Sequence, residues 1–146
     1  MPRFPLILWA VLFCAVYLSS CSSPEKDLSD KICFSDGCIQ IEIVRTQEER
    51  MKGLQARRNL GKDRGMLFIF QGSKKHSFWM QDTFIALDIV WIDESKRIVT
   101  IIPNVLPCET EQCPVYTPSK DALYVLEVNS GVTIELGLKE GDHAIF

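Results

Sequence analysis

Apolar and polar positions along the chain predict a series of short strands. Three continuous apolar runs lie at residues 65–70 (GMLFIF), 78–80 (FWM) and 89–92 (IVWI), with polar residues between them. Continuous runs of this length are typical of strands that are buried on both faces. Because the runs are close in sequence, we predict that they form the centre of one sheet system.

The flanking segments add more strands and one helix. Alternating or β-branched apolar residues predict further strands at 39–43, 97–102, 122–128 and 144–146. Thr46 followed by Glu49 forms a capping box, which predicts a helix at 47–58. Gly53 disfavours that helix and indicates a close approach to the sheet. The prolines within 103–121 predict a loop. The β-branched residues at the start of 132–138 favour a strand there.

Together these elements predict a mainly β (α+β) fold with one helix near its start. Connections of hairpin type between the strands indicate antiparallel pairing. With 146 residues, the chain holds one domain. We assign this single β-rich domain to residues 31–146.

The first 30 residues predict a lipoprotein signal peptide and a tether. A positive start at Arg3 precedes an apolar stretch, 4–18, that is short for a membrane span. The stretch ends in LSSC, which resembles the bacterial lipobox, in which the Cys is acylated and becomes the first residue. We therefore predict a signal peptide at 1–20, lipidation at Cys21 and a flexible tether at 21–30. The alternative is an uncleaved anchor with an incidental Cys.

Charge and the residue after Cys21 bear on partners and location. Removal of 1–20 would leave 126 residues with formal net charge −4, since Arg3 is the one charged residue removed. This mild acidity argues against nucleic acid as a partner, and no polybasic patch serves anionic lipid. Attachment would depend on the acyl chains. We expect a lipid-anchored, periplasm-facing protein of the bacterial cell envelope, with Ser22 favouring the outer membrane.

The four remaining cysteines form two C-x4-C pairs. An even count in an exported domain implies disulfides. An Asp-Gly turn signal lies between Cys33 and Cys38, and two prolines bracket Cys108 and Cys113. We predict the disulfides Cys33–Cys38 and Cys108–Cys113; the alternative is a four-cysteine zinc site.

Few residues suggest chemistry. The sequence has no metal motif, phosphate loop, nucleophile elbow or dinucleotide fingerprint, so we expect no metal and no cofactor. Carboxylates beside apolar runs can act as acids or bases when desolvated, but can equally cap a turn or pair with an arginine. A Trp side chain can stack on a ligand where it is exposed, although most Trp residues lie in the core. The predicted ligand cleft consists of Arg57, Trp79, Asp82, Thr83 and Asp88.

The motifs GMLFIF, FWM-x-D-T and LDIVWID, with GL-x-x-R upstream, resemble the signature of the domain of unknown function 192 family. The resemblance covers about 41–146. It implies a jelly-roll-like sandwich and no transferable catalytic residue. It also implies a short helix ending near Gly137, and for 132–138 we favour this helix over the strand. Gln55, Asp82 and Ala86 stand where the family commonly has Met, Asn and Pro.

Two functional hypotheses follow. The first is a non-catalytic binding or interaction module, held at a membrane by its lipid, that takes a cell-envelope protein or a small polar ligand. The alternative is a small cell-envelope hydrolase that uses Asp82 and Asp88 as paired carboxylates. The hydrolase requires both carboxyls to face one open concavity, which a structure can test.

Overall fold

The computed structural model describes Met1 and residues 30–146, so the predicted signal peptide, Cys21 and the tether up to residue 29 lie outside the described residues. The strands are β1 Lys31–Phe34, β2 Gly37–Val44, β3 Arg64–Lys74, β4 Phe78–Trp79, β5 Leu87–Ile92, β6 Ile98–Val105, β7 Val115–Tyr116 and β8 Ala122–Asn129. Two short helices, α1 Gln47–Lys52 and α2 Val132–Glu135, complete the described part. No described helix has the length and apolar character to cross a membrane. The fold is therefore mainly β, as predicted.

Six strands form one mixed sheet in the order β1-β2-β3-β8-β5-β6. Four of its pairings are antiparallel, but β2 and β3 are parallel because the chain crosses over through α1 between them. The prediction of a purely antiparallel fold is therefore wrong at this one pairing. The second sheet consists of β4 and β7 alone.

The centre of the main sheet differs from the prediction. The apolar runs of β3 and β5 lie inside the sheet, but β8 is inserted between them and pairs with both. The FWM run contributes only the two-residue strand β4, which pairs with β7 outside the main sheet. Met80 and Phe78 of this run pack against the core on one face of the main sheet, so the run covers the sheet.

The C-terminal residues connect the two ends of the sheet. Cys33 on β1 exchanges two backbone hydrogen bonds of 2.9 Å with Ile145. On the other side, the N–H of Ile98 on β6 donates to the carbonyl of Asp142, and Ala144 donates to Lys96. Because one segment bonds to both edge strands, the sheet must curve around the core that it encloses.

Each face of the sheet has its own hydrophobic core. On the enclosed face, Leu67, Val90 and Leu126 pack with Phe146 from the C-terminus. On the opposite face, Phe68, Trp91 and Val125 pack with Met80 and Leu54 from the covering segments. Alternation along the strands sends successive side chains to opposite faces. We call the second surface the α1 face, since residues next to α1 cover it.

Helix α1 is shorter than predicted. The capping box is present, with the Glu49 N–H donating to the Thr46 hydroxyl and the Thr46 N–H donating to the Glu49 carboxylate. The backbone N–H groups of Thr46 and Arg45, which both donate to the Glu49 carboxylate, lower the pKa of Glu49. The helix ends at Lys52 and not at residue 58, because Gly53 adopts a φ of 45°. A Cβ on Gly53 would lie 3.3 Å from the Phe68 ring, which confirms the predicted close approach to the sheet.

Within segment 132–138, Val132–Glu135 form the helix α2, as the family resemblance implied and against the β-branched pattern. Both predicted disulfides are present. Cys33–Cys38 links facing residues of the β1–β2 hairpin, and Cys108–Cys113 closes the loop between β6 and β7. The zinc alternative is therefore wrong, since a disulfide sulfur has no thiolate to offer a metal.

Candidate functional site

A pocket of about 330 Å³ opens on the α1 face of the sheet. Its volume is at the lower end of the range for small-ligand sites. Its walls come from α1 and the turn that follows it, from β3, β4 and β8, and from residues 81–83. The lining residues are Gln47, Arg50, Met51, Lys52, Gly53, Leu54, Gln55, Phe68, Phe70, Ser77, Phe78, Trp79, Gln81, Thr83 and Glu127.

Glu127 is the acid of this pocket. It lies in the middle of β8, where it pairs with Met66 on β3 and Ile89 on β5, so its side chain has strands on both sides. The residue is only 5% exposed. Burial raises the pKa of its carboxyl to about 8, and no cation or hydrogen-bond donor of the described residues acts in the opposite direction. Glu127 is therefore mostly protonated at neutral pH.

The carboxyl of Glu127 faces the pocket. Every fully buried side-chain polar atom of the described residues has a hydrogen-bond partner. The carboxyl has no such partner within the described protein, so its oxygens must reach the space of the pocket that Glu127 lines. A buried acid without a protein partner is unusual, because its desolvation is not compensated.

Aromatic side chains form one wall beside Glu127. Phe78 contacts Phe68 edge-on with ring centroids 5.0 Å apart, and it contacts Trp91 in the same way at 6.0 Å. Phe70 stacks on His76 at 3.6 Å on the outer side of the wall. Trp79 is 56% exposed at the pocket rim. Edge-on contacts hold the rings in defined orientations, so the wall is pre-formed.

The opposite wall comes from α1 and its exit turn. Arg50 donates hydrogen bonds to the carbonyls of Arg45 and Ile69, the second at 3.0 Å, and its guanidinium lies 5.0 Å from the Phe70 ring centroid. These contacts fix the guanidinium against β3. Lys52 is exposed at the mouth. Gln47 and Gln55 place amides on the same wall.

Residues 81–83 form the third side and are anchored by backbone contacts. Asp82 has a φ of 54°, its N–H donates to the carbonyl of Cys108, and its own carbonyl accepts from the Ala56 N–H. The turn therefore joins the second disulfide loop to the exit of α1. This conformation directs Gln81 and Thr83 to the pocket, while the Asp82 side chain is exposed and does not line it.

Asp88 lies on the other face of the sheet. It is fully buried, and its Oδ1 accepts from the Asn104 N–H at 2.8 Å. Its Oδ2 accepts from the N–H groups of Gly131 and Thr133 at 3.0 Å and from the Thr133 hydroxyl at 2.7 Å. Asp88 thus holds the start of α2 and the end of β6, which is a structural task.

Arg57 also lies outside the pocket. Its guanidinium donates two hydrogen bonds to the Glu42 carboxylate, at 2.7 and 2.6 Å, and Arg64 approaches the same carboxylate at 3.9 Å. The hydrogen bond lowers the pKa of Glu42 and raises that of Arg57. This pair fastens the exit of α1 to β2.

The structure thus brings together Trp79 and Thr83 of the predicted cleft, but not Arg57, Asp82 or Asp88. The sequence interpretation missed Glu127. A signal for it exists: Glu127 is the one charged residue in the strand ALYVLEVN, and a Glu inside a buried strand is rarely structural without a partner. Among the described residues, no group of three or more His, Cys, Asp or Glu could hold a metal ion.

Two solved structures share this fold. A protein of unknown function from Novosphingobium aromaticivorans is 31% identical, with a TM-score of 0.72 over 80% of this chain and 82% of that one. A Sinorhizobium meliloti protein named a putative transcription regulator is 30% identical, with a TM-score of 0.71 over 79% of this chain and 89% of that one.

A curated relative and a family profile give the relationship. The UPF0127 protein TK1120 of Thermococcus kodakarensis is 25% identical over 108 residues, which make up 70% of this chain and 62% of the relative. The chain thus matches less than two thirds of that protein's length. The profile of DUF192, described as Uncharacterized ACR, matches residues 31–146. The chain belongs to the DUF192 family.

Proposed function

We propose that this protein is a lipid-anchored module of the cell envelope that binds a small ligand in the Glu127 pocket without chemical turnover. The observation that carries the proposal is the unpartnered Glu127 carboxyl at an aromatic-walled pocket of ligand size. Pockets of this kind bind ligands through apolar contact and orient them by a few polar groups. The jelly-roll-like interpretation of the fold belongs to this proposal, and the closure of the sheet by the C-terminus supports it.

Binding fits the pocket better than catalysis does. The neutral polar groups that accompany Glu127 are the amides of Gln47, Gln55 and Gln81 and two hydroxyls, which orient a ligand through hydrogen bonds. The hydrolase hypothesis needs two carboxylates in one concavity. Asp82 and Asp88 do not meet this condition, because Asp88 faces the opposite core and is occupied by four hydrogen bonds.

The anchoring part of the proposal rests on the lipobox-like LSSC sequence and on the two disulfides, which fit an oxidising compartment. Replacing Cys21 by Ser should leave an unprocessed precursor that no longer incorporates radiolabelled palmitate in cells. Processing and labelling at the level of the parent protein would contradict the anchor.

The binding part can be tested with the purified protein in non-ionic detergent and a library of small amphipathic compounds. The rim position of Trp79 makes it a natural reporter, since a ligand that covers this half-exposed indole should shift its emission to shorter wavelength. Replacing Gln55 by Phe should fill the pocket and abolish the response. The same change at Gln112, which lies in the loop of the second disulfide, is the matched control and should leave binding intact.

Nucleic acid is not the ligand that we propose for this protein. The described relative from Sinorhizobium meliloti carries a regulator name, but this chain has a formal net charge of −3 and no clustered Lys and Arg run in its sequence. Nucleic-acid binding relies on such basic clusters.

Failure of every compound to give a response that depends on Gln55 would refute the ligand-binding proposal.

A further inference from the structure

We propose that the ligand of this pocket is an organic cation whose ammonium group pairs with the Glu127 carboxylate and whose apolar part lies against Phe68, Phe78 and Trp79. The inference rests on the proposed function, because it names the ligand class of the same pocket. It follows from what Glu127 lacks, from the rings beside it and from the charges around it.

The Glu127 side chain lacks a partner among the described residues. It is 95% buried, it lines the pocket, and no described group donates a hydrogen bond to its carboxyl. An ammonium group supplies both missing components, namely hydrogen-bond donors and an opposite charge. An anionic ligand would add a like charge beside the ionised carboxyl, and an aliphatic ligand would leave the carboxyl without a partner.

The aromatic rings beside Glu127 are suited to a cation. The face of an aromatic ring attracts a cation, and the attraction increases when the cation is desolvated. Phe68 and Phe78 line the pocket together with Trp79 at its rim, and their edge-on contacts fix the two Phe rings before a ligand arrives. A pre-formed wall reduces the ordering cost of binding. A carboxylate beside aromatic faces is therefore suited to a cation that carries an apolar group.

Few other charged or titratable groups lie near Glu127 in the described part of the chain. On this face, the strands that flank Glu127 contribute the apolar residues Met66 and Ile89, and β4 contributes Phe78. Arg50 and Lys52 of α1 are the charged residues that line the pocket besides Glu127. His76 stacks behind Phe70 and is a further titratable group near the wall.

The positions of these cations restrict the ligand. Arg50 is fixed by the carbonyls of Arg45 and Ile69 and by the Phe70 ring, and Lys52 lies at the mouth. Both would repel a second positive charge at the outer end of a ligand. The ligand should therefore carry one positive charge, located at the end that enters the pocket.

The experiment compares three compounds of similar size that differ in charge: 2-phenylethylammonium, 2-phenylethanol and 3-phenylpropionate. Each is titrated calorimetrically into the protein in non-ionic detergent, with the Gln55→Phe variant as the control for partition into micelles. Near pH 8, the ammonium compound should bind about tenfold or more tightly than the alcohol, and the propionate most weakly.

Glu127→Gln identifies the responsible group. The variant should lose the preference for the ammonium compound while retaining the weaker binding of the alcohol, since the amide fills the same space without the charge. In the parent protein, ammonium binding near pH 7 should release a proton, seen as heats that depend on the ionisation enthalpy of the buffer. In Glu127→Gln this release should be absent; a release that persists would assign it to another group such as His76.

The outcomes separate this inference from the proposed function. The proposal of a cationic ligand would be refuted if the alcohol or the propionate bound as tightly as the ammonium compound or more tightly. It would also be refuted if the preference for the ammonium compound survived in Glu127→Gln. Either result would leave the proposal of a ligand-binding pocket in place. If none of the three compounds bound, the proposal of a cationic ligand would be refuted as well. In that case, the proposed function still stands if the compound library gives a response that Gln55→Phe removes, and it fails if the library gives none.

Discussion

Replacing Glu127 by Gln should stabilise the free protein, and by an amount that grows with pH. Burial raises the pKa of the Glu127 carboxyl from 4.5 to about 8. The folded protein therefore holds this proton at pH values where the unfolded chain has lost it. Stability from this group is fully present below about pH 4.5 and decreases as the pH rises to about 8, because the unfolded state is the better acid.

The size of the effect follows from the difference between the two pKa values. One pKa unit corresponds to about 1.4 kcal/mol, so the parent protein should lose about 3 kcal/mol between pH 4.5 and pH 7, and about 4 kcal/mol by pH 8, where half of the folded molecules have already lost the proton. Gln has no proton to lose in this range. The free energy of unfolding of Glu127→Gln should thus match that of the parent near pH 4.5 and exceed it by about 3 kcal/mol at pH 7.

Urea denaturation at several pH values, followed by the emission of the buried Trp91, measures this difference. The midpoint should move while the slope with denaturant stays constant, since the exposed area does not change. The matched control is Glu111→Gln, an exposed acid in the second disulfide loop, which should shift the midpoint little at any pH. A Glu127→Gln difference that is independent of pH, or a variant that is less stable at pH 7, would refute the reasoning.

Three further substitutions test the supports of the fold by the same denaturation assay. Asp88→Asn should cost about 3 kcal/mol, because one amide oxygen cannot satisfy the donors of Asn104, Gly131 and Thr133, and an unchanged midpoint would contradict this. Phe68→Ala should cost about 3–5 kcal/mol, the range for truncating a buried aromatic residue, and a loss below 1 kcal/mol would show that the site collapses. Gly53→Ala should also destabilise, by about 1–3 kcal/mol, since the φ of 45° and the nearby Phe68 ring both oppose a Cβ; a more stable variant would be inconsistent with that backbone.

Local patterns in the sequence predicted the local features of the fold. The capping box at Thr46 and Glu49, the close approach at Gly53 and the facing cysteines of β1 and β2 are each determined by residues near one another in the chain. Strand positions could be predicted from apolar runs because such a run is also a local pattern of neighbouring residues. The end of α1 was missed because a left-handed glycine, and not the Arg residues after it, stops the helix.

Features that depend on distant residues were not accessible in this way. Three apolar runs show that strands are buried, but they do not show that β8, which follows more than 25 residues after β5, lies between β3 and β5. The parallel pairing of β2 and β3 is likewise a matter of topology. Because the predicted cleft was built from neighbours of the FWM run, it included Asp82 and Asp88 and omitted Glu127, which reaches the pocket only through that strand order.

Glu127 and Asp88 are both buried acids of the main sheet, and the difference between them separates a structural group from a functional one. Asp88 accepts four hydrogen bonds from backbone and hydroxyl donors, so its charge is satisfied by the fold itself. Glu127 has no hydrogen-bond donor among the described residues, lines a pocket and lowers the stability of the free protein at neutral pH.

A ligand that binds Glu127 would offset the destabilising effect of this residue on the free fold. Met or Leu at position 127 would fit the surrounding core of Met66, Phe68 and Ile89 without any such cost. If Glu127 binds a cation, ligand binding should stabilise the folded protein. A saturating concentration of the cation should then raise the unfolding midpoint of the parent protein more than that of Glu127→Gln. The same denaturation assay, repeated with and without 2-phenylethylammonium, therefore connects the stability of the fold to the proposed use of the pocket.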